Sequence, residues 1–246
     1  WASAGRFHHS QSQLHRFLNS VGGYVSSYAS YSTGAAQAII PHVLGLNFHK
    51  ITWGELNSWS SIAKHTDNLI IFGGINPKNS QVSMGGSTEH DVAEQFKNFK
   101  RLQKNMVSIS PQQDDSPEET NWLPIIPGTD MALMLAIAYV LETENLADQT
   151  FLDTHSSGYH VFKKYFLGED GHSAKTPEWA SLETGIDASQ IRDLARNMAS
   201  GRTLICVSWS LQRARYGEHP FWMACVLAAM LGQIGLPGGG VGFGYG

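Results

Sequence analysis

Three short apolar runs punctuate the chain. They are Asn68-Leu69-Ile70-Ile71-Phe72 between Asp67 and Gly73-Gly74, Met106-Val107-Ser108-Ile109-Ser110 before Pro111, and Thr203-Leu204-Ile205-Cys206-Val207-Ser208-Trp209. Runs this short, without strict alternation, fit strands buried on both faces, as in a parallel sheet. Segments of helical period lie around them. Phe7, Gln11, Leu14 and Leu18 share one face of an opening helix that Gly22-Gly23 stops. Gly34-Ala35-Ala36-Gln37-Ala38-Ile39-Ile40 predicts a short small-residue helix closed by Pro41. A helix from Asp91 to Lys104 carries Val92, Phe96 and Phe99 on one side. Near Thr129-Asp130 a capped helix begins whose Met131, Leu133, Met134, Leu135, Ile137 and Tyr139 surround it almost completely, which predicts burial. Asp187, three residues before Gln190, has the capping-box pattern, and Ile191, Leu194, Ala195 and Met198 follow as one stripe. A last helix, from about His219 to Leu231, is apolar nearly all round. Strands alternating with helices predict an α/β fold, a Rossmann-like and mainly parallel sheet flanked by helices. The acidic, polar stretch from Gln112 to Glu119 reads as a solvated loop.

Composition narrows the function classes. Apolar residues are 42% and aromatics 11% of the 246 residues, enough for a sizeable core and against intrinsic disorder. The net charge is −4, and no basic run exceeds the length of Lys163-Lys164, so no nucleic-acid partner is expected. The longest wholly apolar run, Phe221 to Leu231, is too short to cross a bilayer as a helix. Cys206 and Cys225 are the only cysteines and form no C-x-x-C pair, which excludes an iron–sulfur or cysteine-zinc site built from this chain alone. The chain opens at Trp1 and stops at Gly246 in a glycine run, so it reads as an internal piece of a larger protein, and a missing signal peptide says nothing about export.

In open parallel sheets, ligands bind at the carboxyl ends of the strands. The first such end is Gly73-Gly74-Ile75-Asn76-Pro77-Lys78-Asn79, where glycines permit close backbone approach and Lys78 could pair with a phosphate. The second is Ile109-Ser110-Pro111, where Rossmann-like folds hold a ribose, although they prefer a carboxylate to the neutral Ser110. The third is Trp209-Ser210-Leu211-Gln212-Arg213, with an arginine able to grip phosphate. Pro127-Gly128-Thr129-Asp130 adds a helix N-terminus that favours an anion. By residue type alone an ordinary polar loop, a surface cation or an N-cap explains each at least as well, and the first and third ends better. No P-loop, H-E-x-x-H or G-x-S-x-G string occurs, and the C-terminal glycines do not match G-x-G-x-x-G.

Seven segments taken together are more specific. Trp1-Ala2-Ser3-Ala4-Gly5-Arg6, Tyr31-Ser32-Thr33-Gly34-Ala35-Ala36-Gln37, Asn76-Pro77-Lys78 and Gly128-Thr129-Asp130-Met131-Ala132-Leu133-Met134 follow one another in order. Trp209-Ser210-Leu211-Gln212-Arg213, Gly217-Glu218 and Gly232-Gln233-Ile234-Gly235-Leu236-Pro237-Gly238-Gly239-Gly240 continue the series. Over essentially its whole length the chain resembles the dimethyl sulfoxide/trimethylamine N-oxide/biotin sulfoxide reductase type of molybdopterin oxidoreductase. Three departures stand out. Ser30 replaces a residue usually acidic, Asn79 a frequent threonine, and Gln112-Gln113-Asp114-Asp115 the usual Arg-Ser/Thr-Glu run.

The resemblance implies a molybdenum cofactor of the bis(molybdopterin guanine dinucleotide) type. Ser32 then takes the position of the metal's serine ligand, in keeping with the preference of a hard, oxidised metal for oxygen donors. Trp1 takes that of an indole near the metal, whose N–H donates to an oxygen acceptor. Trp1, Ala2, Ser3, Lys78, Asn79, Ile109, Ser110, Gly128, Thr129, Asp130, Trp209, Ser210 and Arg213 match positions that contact the cofactor. The implied reaction is oxygen-atom transfer from an S-oxide or N-oxide to the metal, completed by two electrons and two protons. The implied partners are that substrate, the remainder of a parent chain, and an electron donor such as a c-type cytochrome or another reductant. A periplasmic parent is favoured over a cytoplasmic one on the same ground. Residues 1–50 are expected to carry the metal-ligand serine and residues 51–246 to form the dinucleotide-binding domain, with the isolated piece inactive. The rival readings are a nucleotide-binding α/β module without redox chemistry and a structural relative that has lost the site.

Overall fold

The computed structural model of the chain describes residues 10–25, 32–50, 57–79 and 90–245. Helices α1 (Ser10–Ser20), α2 (Gly34–Leu44), the single turn α3 (Phe48–Lys50) and α4 (Trp59–His65) lead into strand β1 (Asn68–Phe72). Then come α5 (Val92–Arg101), β2 (Asn105–Ser110), β3 (Asn121–Pro124), α6 (Asp130–Thr143), α7 (Gln149–His155), α8 (Tyr159–Leu167), α9 (Pro177–Thr184) and α10 (Ala188–Ala199). Strand β4 (Thr203–Val207), helix α11 (His219–Met230) and strand β5 (Gly240–Phe243) complete the fold.

All five strands run parallel, in the order β3-β2-β1-β4-β5. The sheet is therefore doubly wound from β1 outward, with a topological switch between β1 and β4. Every residue of β1 and β4 is buried. Their side chains alternate between two cores, because successive strand residues point to opposite faces. Leu69 and Ile71 join Met106, Leu204 and Cys206 under Ile62 of α4 and Phe96 and Phe99 of α5. Ile70 and Phe72 join Ile109, Ile205 and Val207 under α6, α10 and α11. Helix α6 packs on α9, α10 and α11, so its nearly uniform apolar surface has partners on several sides. Ala36, Ile40 and Phe48 share this second core, which ties α2 and α3 to the rest of the fold.

Several sequence-based expectations need correction. Pro41 does not close α2, which runs on to Leu44. The proline forfeits one backbone hydrogen bond, but Val43 and Leu44 still pack on the core, and Gly45, in the left-handed region, ends the helix by donating to the Pro41 carbonyl. Asp187 precedes α10 without any side-chain cap bond, so the capping box does not form. The helix expected to reach Lys104 ends at Arg101, with Gln103 at φ 56°. Gln112 to Glu119 is not wholly a solvated loop. It holds a 3-10 turn at Gln113–Asp115, and Ser116 is buried against Ser108, the two hydroxyls 2.7 Å apart. Strands β3 and β5 and helices α4, α7, α8 and α9 were not anticipated. The opening helix is seen from Ser10 onward, its Phe7 lies outside the described residues, and its Leu14 is exposed.

Candidate functional site

Because the strands are parallel, their carboxyl ends lie along one edge, and most of the motif residues follow those ends. At β1 the chain leaves through Gly73 and Gly74, both at positive φ. Gly73 N–H donates to the Ile109 carbonyl (2.8 Å), and Ser208 N–H donates to the Phe72 carbonyl (2.8 Å), so the ends of β2, β1 and β4 are laced together. A Cβ on Gly73 would lie 2.2 Å from Leu211 Cδ1 and 2.8 Å from Ser210 Oγ. Glycine is required there because the turn after β4 folds directly over it. Beyond Gly74, Asn76 Oδ1 accepts from Lys78 N–H (2.8 Å) and Asn76 Nδ2 donates to Asp115 Oδ1 (2.8 Å). This asparagine turn presents Lys78 and Asn79 to solvent.

The turn after β4 is the 3-10 segment Trp209–Gln212. Trp209 is held by rings on three sides, with centroids 5.6 Å from Phe48, 5.8 Å from Phe221 and 6.3 Å from Phe243. Ser210 Oγ donates to Ser208 Oγ (3.1 Å), and Ser210 and Arg213 face solvent. Gln212 is buried, and its Oε1 accepts from the N–H groups of Ala35 (3.0 Å) and Ala36 (3.5 Å) at the start of α2. Ser32, half-buried, lies just before the N-cap residue Thr33 of that helix. One side chain thus joins the start of α2, three residues after Ser32, to the turn that carries Trp209, Ser210 and Arg213.

Other site residues are placed differently. Ile109 is fully buried in the core. Ser110 is also buried. Its hydroxyl donates to the Gln112 carbonyl (3.1 Å) and accepts from Gln112 N–H (3.3 Å), while its carbonyl accepts from Trp122 Nε1 (2.9 Å). Gly128, Thr129 and Asp130 follow β3, two strands from β1 along the same edge. A Cβ on Gly128 would meet nothing within 4 Å. Thr129 does not cap α6, since its hydroxyl donates to the Ile126 carbonyl (2.7 Å). Trp1, Ala2 and Ser3 lie outside the described residues. Sequence reasoning did not single out Gln212 or Asp115. Gln212 stood in a quoted motif, but its partner is 177 positions away and no local pattern reveals it. A separate cleft of about 520 Å³ beside β5, lined by Leu44, Ile234 and Pro237 among others, shares no residue with this edge.

Burial raises the Asp130 carboxyl to about 6, only partly opposed by its own backbone N–H. The folded value lies above the unfolded one, so the folded state keeps its proton as pH rises. Stability should therefore fall between about pH 4 and 6, and the ionised form should cost up to roughly 3 kcal/mol at neutral pH. Asp130→Asn is expected to flatten this dependence and to raise the melting temperature at pH 7. Parallel Tm profiles of the two proteins from pH 4 to 8 would contradict the assignment.

The model of the molybdopterin oxidoreductase family matches residues 1–244. The chain is 41% identical to the biotin sulfoxide reductase of Cereibacter sphaeroides, over 100% of this chain and 33% of that protein. It is 40% identical to the trimethylamine-N-oxide reductase of Haemophilus influenzae, over 100% of this chain and 30% of that protein. It is 37% identical to the dimethyl sulfoxide/trimethylamine N-oxide reductase of Cereibacter sphaeroides, with the same shares. The chain thus spans about a third of the length of the curated relatives it matches. Among solved structures, acetylene hydratase from Pelobacter acetylenicus shares the fold, with a TM-score of 0.55 at 23% identity over 89% of this chain and 27% of that one.

Proposed function

The chain belongs to the molybdopterin oxidoreductase family, and from that premise we propose that it forms the serine-bearing wall of the cofactor site in a reductase of S-oxides or N-oxides. Membership implies a molybdenum–molybdopterin cofactor. The proposal extends this to the bis(molybdopterin guanine dinucleotide) form, with Ser32 as the protein's ligand to the metal.

The residues at the strand ends fit such a group. Lys78, Asn79, Ser210 and Arg213 all face solvent along one edge, around glycines, with the aromatic and aliphatic side chains drawn in beneath them. An elongated, anionic dinucleotide asks for this set, cations for its phosphates and neutral donors for its sugar and base. When bound, the cofactor supplies the two-electron chemistry that takes oxygen from the oxide. The chain's own residues bind and orient it. Lys78 and Arg213 would neutralise phosphate, Ser210 and Asn79 would hydrogen-bond, and Trp209 keeps the turn bearing Ser210 and Arg213 rigid through its ring contacts. Ser32 would hold the metal through its side-chain oxygen. Trp1 would offer its indole N–H to an oxygen acceptor near the metal. The partners in this reading are the oxide, the remainder of a parent chain and a reductant.

The observation that carries the proposal is the Gln212 link, since it joins the Ser32 segment to the turn bearing Ser210 and Arg213. The test is the cofactor content of the full-length protein. Molybdenum should copurify with two guanine nucleotides per metal, and Arg213→Ala should lower retention of both by roughly 10-fold, as for loss of a charged hydrogen bond. Guanine nucleotide without molybdenum would overturn the proposal in favour of the redox-free module, and the absence of both would overturn it outright.

A further inference from the structure

We infer that Gln212 is the positioning residue that holds Ser32 in register with the dinucleotide-binding turn. The role rests on the reading of Ser32 as the metal ligand. An α-helix starts with backbone N–H groups that have no partner within it, and a side-chain oxygen just before the helix normally takes those of its second and third residues. In α2 these residues are Ala35 and Ala36. The local candidate, Thr33, makes no cap bond. Its backbone sits at φ −148°, ψ 6°, and its Oγ1 accepts from Gln37 Nε2 (2.9 Å). The cap is supplied instead by Gln212 Oε1, which takes both N–H groups from across the fold.

The capping side chain is itself fixed. Gln212 is 8% exposed. Gly217 packs so closely on its backbone that a Cβ there would lie 2.1 Å from the Gln212 carbonyl oxygen, and a Cβ on Gly244 would lie 2.8 Å from the Trp209 ring in the same turn. The turn cannot shift without moving the cap, and the cap cannot be lost without freeing the first turn of α2. Ser32 stands three residues before Ala35, within about 10 Å of chain. Gln212 therefore reports the position of one cofactor-binding element to the other.

The test uses the molybdenum-loaded, full-length protein with four substitutions. Gln212→Met keeps the length and removes the strong acceptor, and Gln212→Asn draws the acceptor back by one methylene. Gln212→Glu keeps an acceptor in place, and Ser32→Ala removes the ligand. Amide exchange at Ala35 and Ala36 and molybdenum X-ray absorption are read alongside kcat and KM. Gln212→Met should speed exchange at both amides by about 3- to 30-fold, the range of a lost helix cap. It should weaken the serine-oxygen scattering at molybdenum and lower kcat more than it raises KM. Gln212→Asn should act in the same direction, which keeps the test open if the methionine variant does not fold, and Gln212→Glu should restore both readouts. Faster exchange with unchanged oxygen scattering would overturn the inference and leave Gln212 as a structural cap, and so would failure of the glutamate variant to restore the signal. Ser32→Ala separates the two claims. If it abolishes the oxygen scattering, the ligand reading stands whatever Gln212 does, and if it does not, that reading fails and the inference falls with it.

Discussion

On the proposed reading of Ser32 as the metal ligand, Ser32→Ala should lower oxide reduction by the full-length protein at least about 100-fold while leaving the fold unchanged. Changes to groups that merely orient a metal's ligands already cost 10- to 100-fold, so loss of the ligand itself should cost no less. The fold is expected to survive because, among the described residues, no hydrogen bond of α2 depends on the Ser32 hydroxyl. Gln212 caps the helix, Thr33 Oγ1 is engaged by Gln37, and the buried anchors are Ala36 and Ile40. Stability should stay within about 0.5 kcal/mol of the parent. The measurements are turnover of dimethyl sulfoxide and trimethylamine N-oxide with a chemical reductant, metal content, and thermal melting. Full turnover by the alanine variant with molybdenum in place would remove Ser32 from the metal.

The largest expected loss of stability comes from adding a single methyl group at Gly217. Its Cβ would lie 2.1, 2.5 and 2.7 Å from the O, C and Cα atoms of Gln212, all backbone atoms. No rotamer change can relieve such a contact, so the 3-10 turn or the segment into α11 must move. Overpacking of this kind costs about 3 kcal/mol, or roughly 6 to 12 °C in Tm for a domain of this size. Gly235→Ala is the matched control. Gly235 has φ +83° with nothing within 4 Å of a Cβ, so only backbone strain of about 1 kcal/mol is added there. On the proposed reading of Ser210 and Arg213 as cofactor contacts, Gly217→Ala should also loosen cofactor retention, because the displaced turn carries both. Equal melting temperatures for the two variants would mean that the turn is not clamped as described.

The central strands and the two most apolar helices were legible because burial on several sides leaves one composition available to them. In β1 that is a bare apolar run, and in α6 and α11 apolar residues all round. The edge strands were not legible. Strand β3 is partly exposed and ends in Pro124, and β5 begins at Gly240 inside a glycine run, so both lack the apolar signature of a strand. They are strands because β2 and β4 offer hydrogen-bonding edges to them.

The candidate site divides in the same way. Its residue types could be read along the chain, where Lys78, Ser210 and Arg213 follow strand ends and Ser32 stands in a specific string. Whether a given side chain faces a ligand could not be read there. Ser110 looked like a polar contact past a strand, and it is buried with its hydroxyl spent on the Gln112 backbone. Gln212 looked like one more polar residue, and it caps a helix far away in sequence.

What the amino-acid order determined by itself was the α/β class, the buried strands and the inventory of polar groups at their ends. These follow from local patterning, which acts over a few residues. What only the tertiary structure decided was which of those polar groups are already satisfied and which elements they lock together. Hydrogen bonds and steric contacts are made between residues that meet only when the chain has folded.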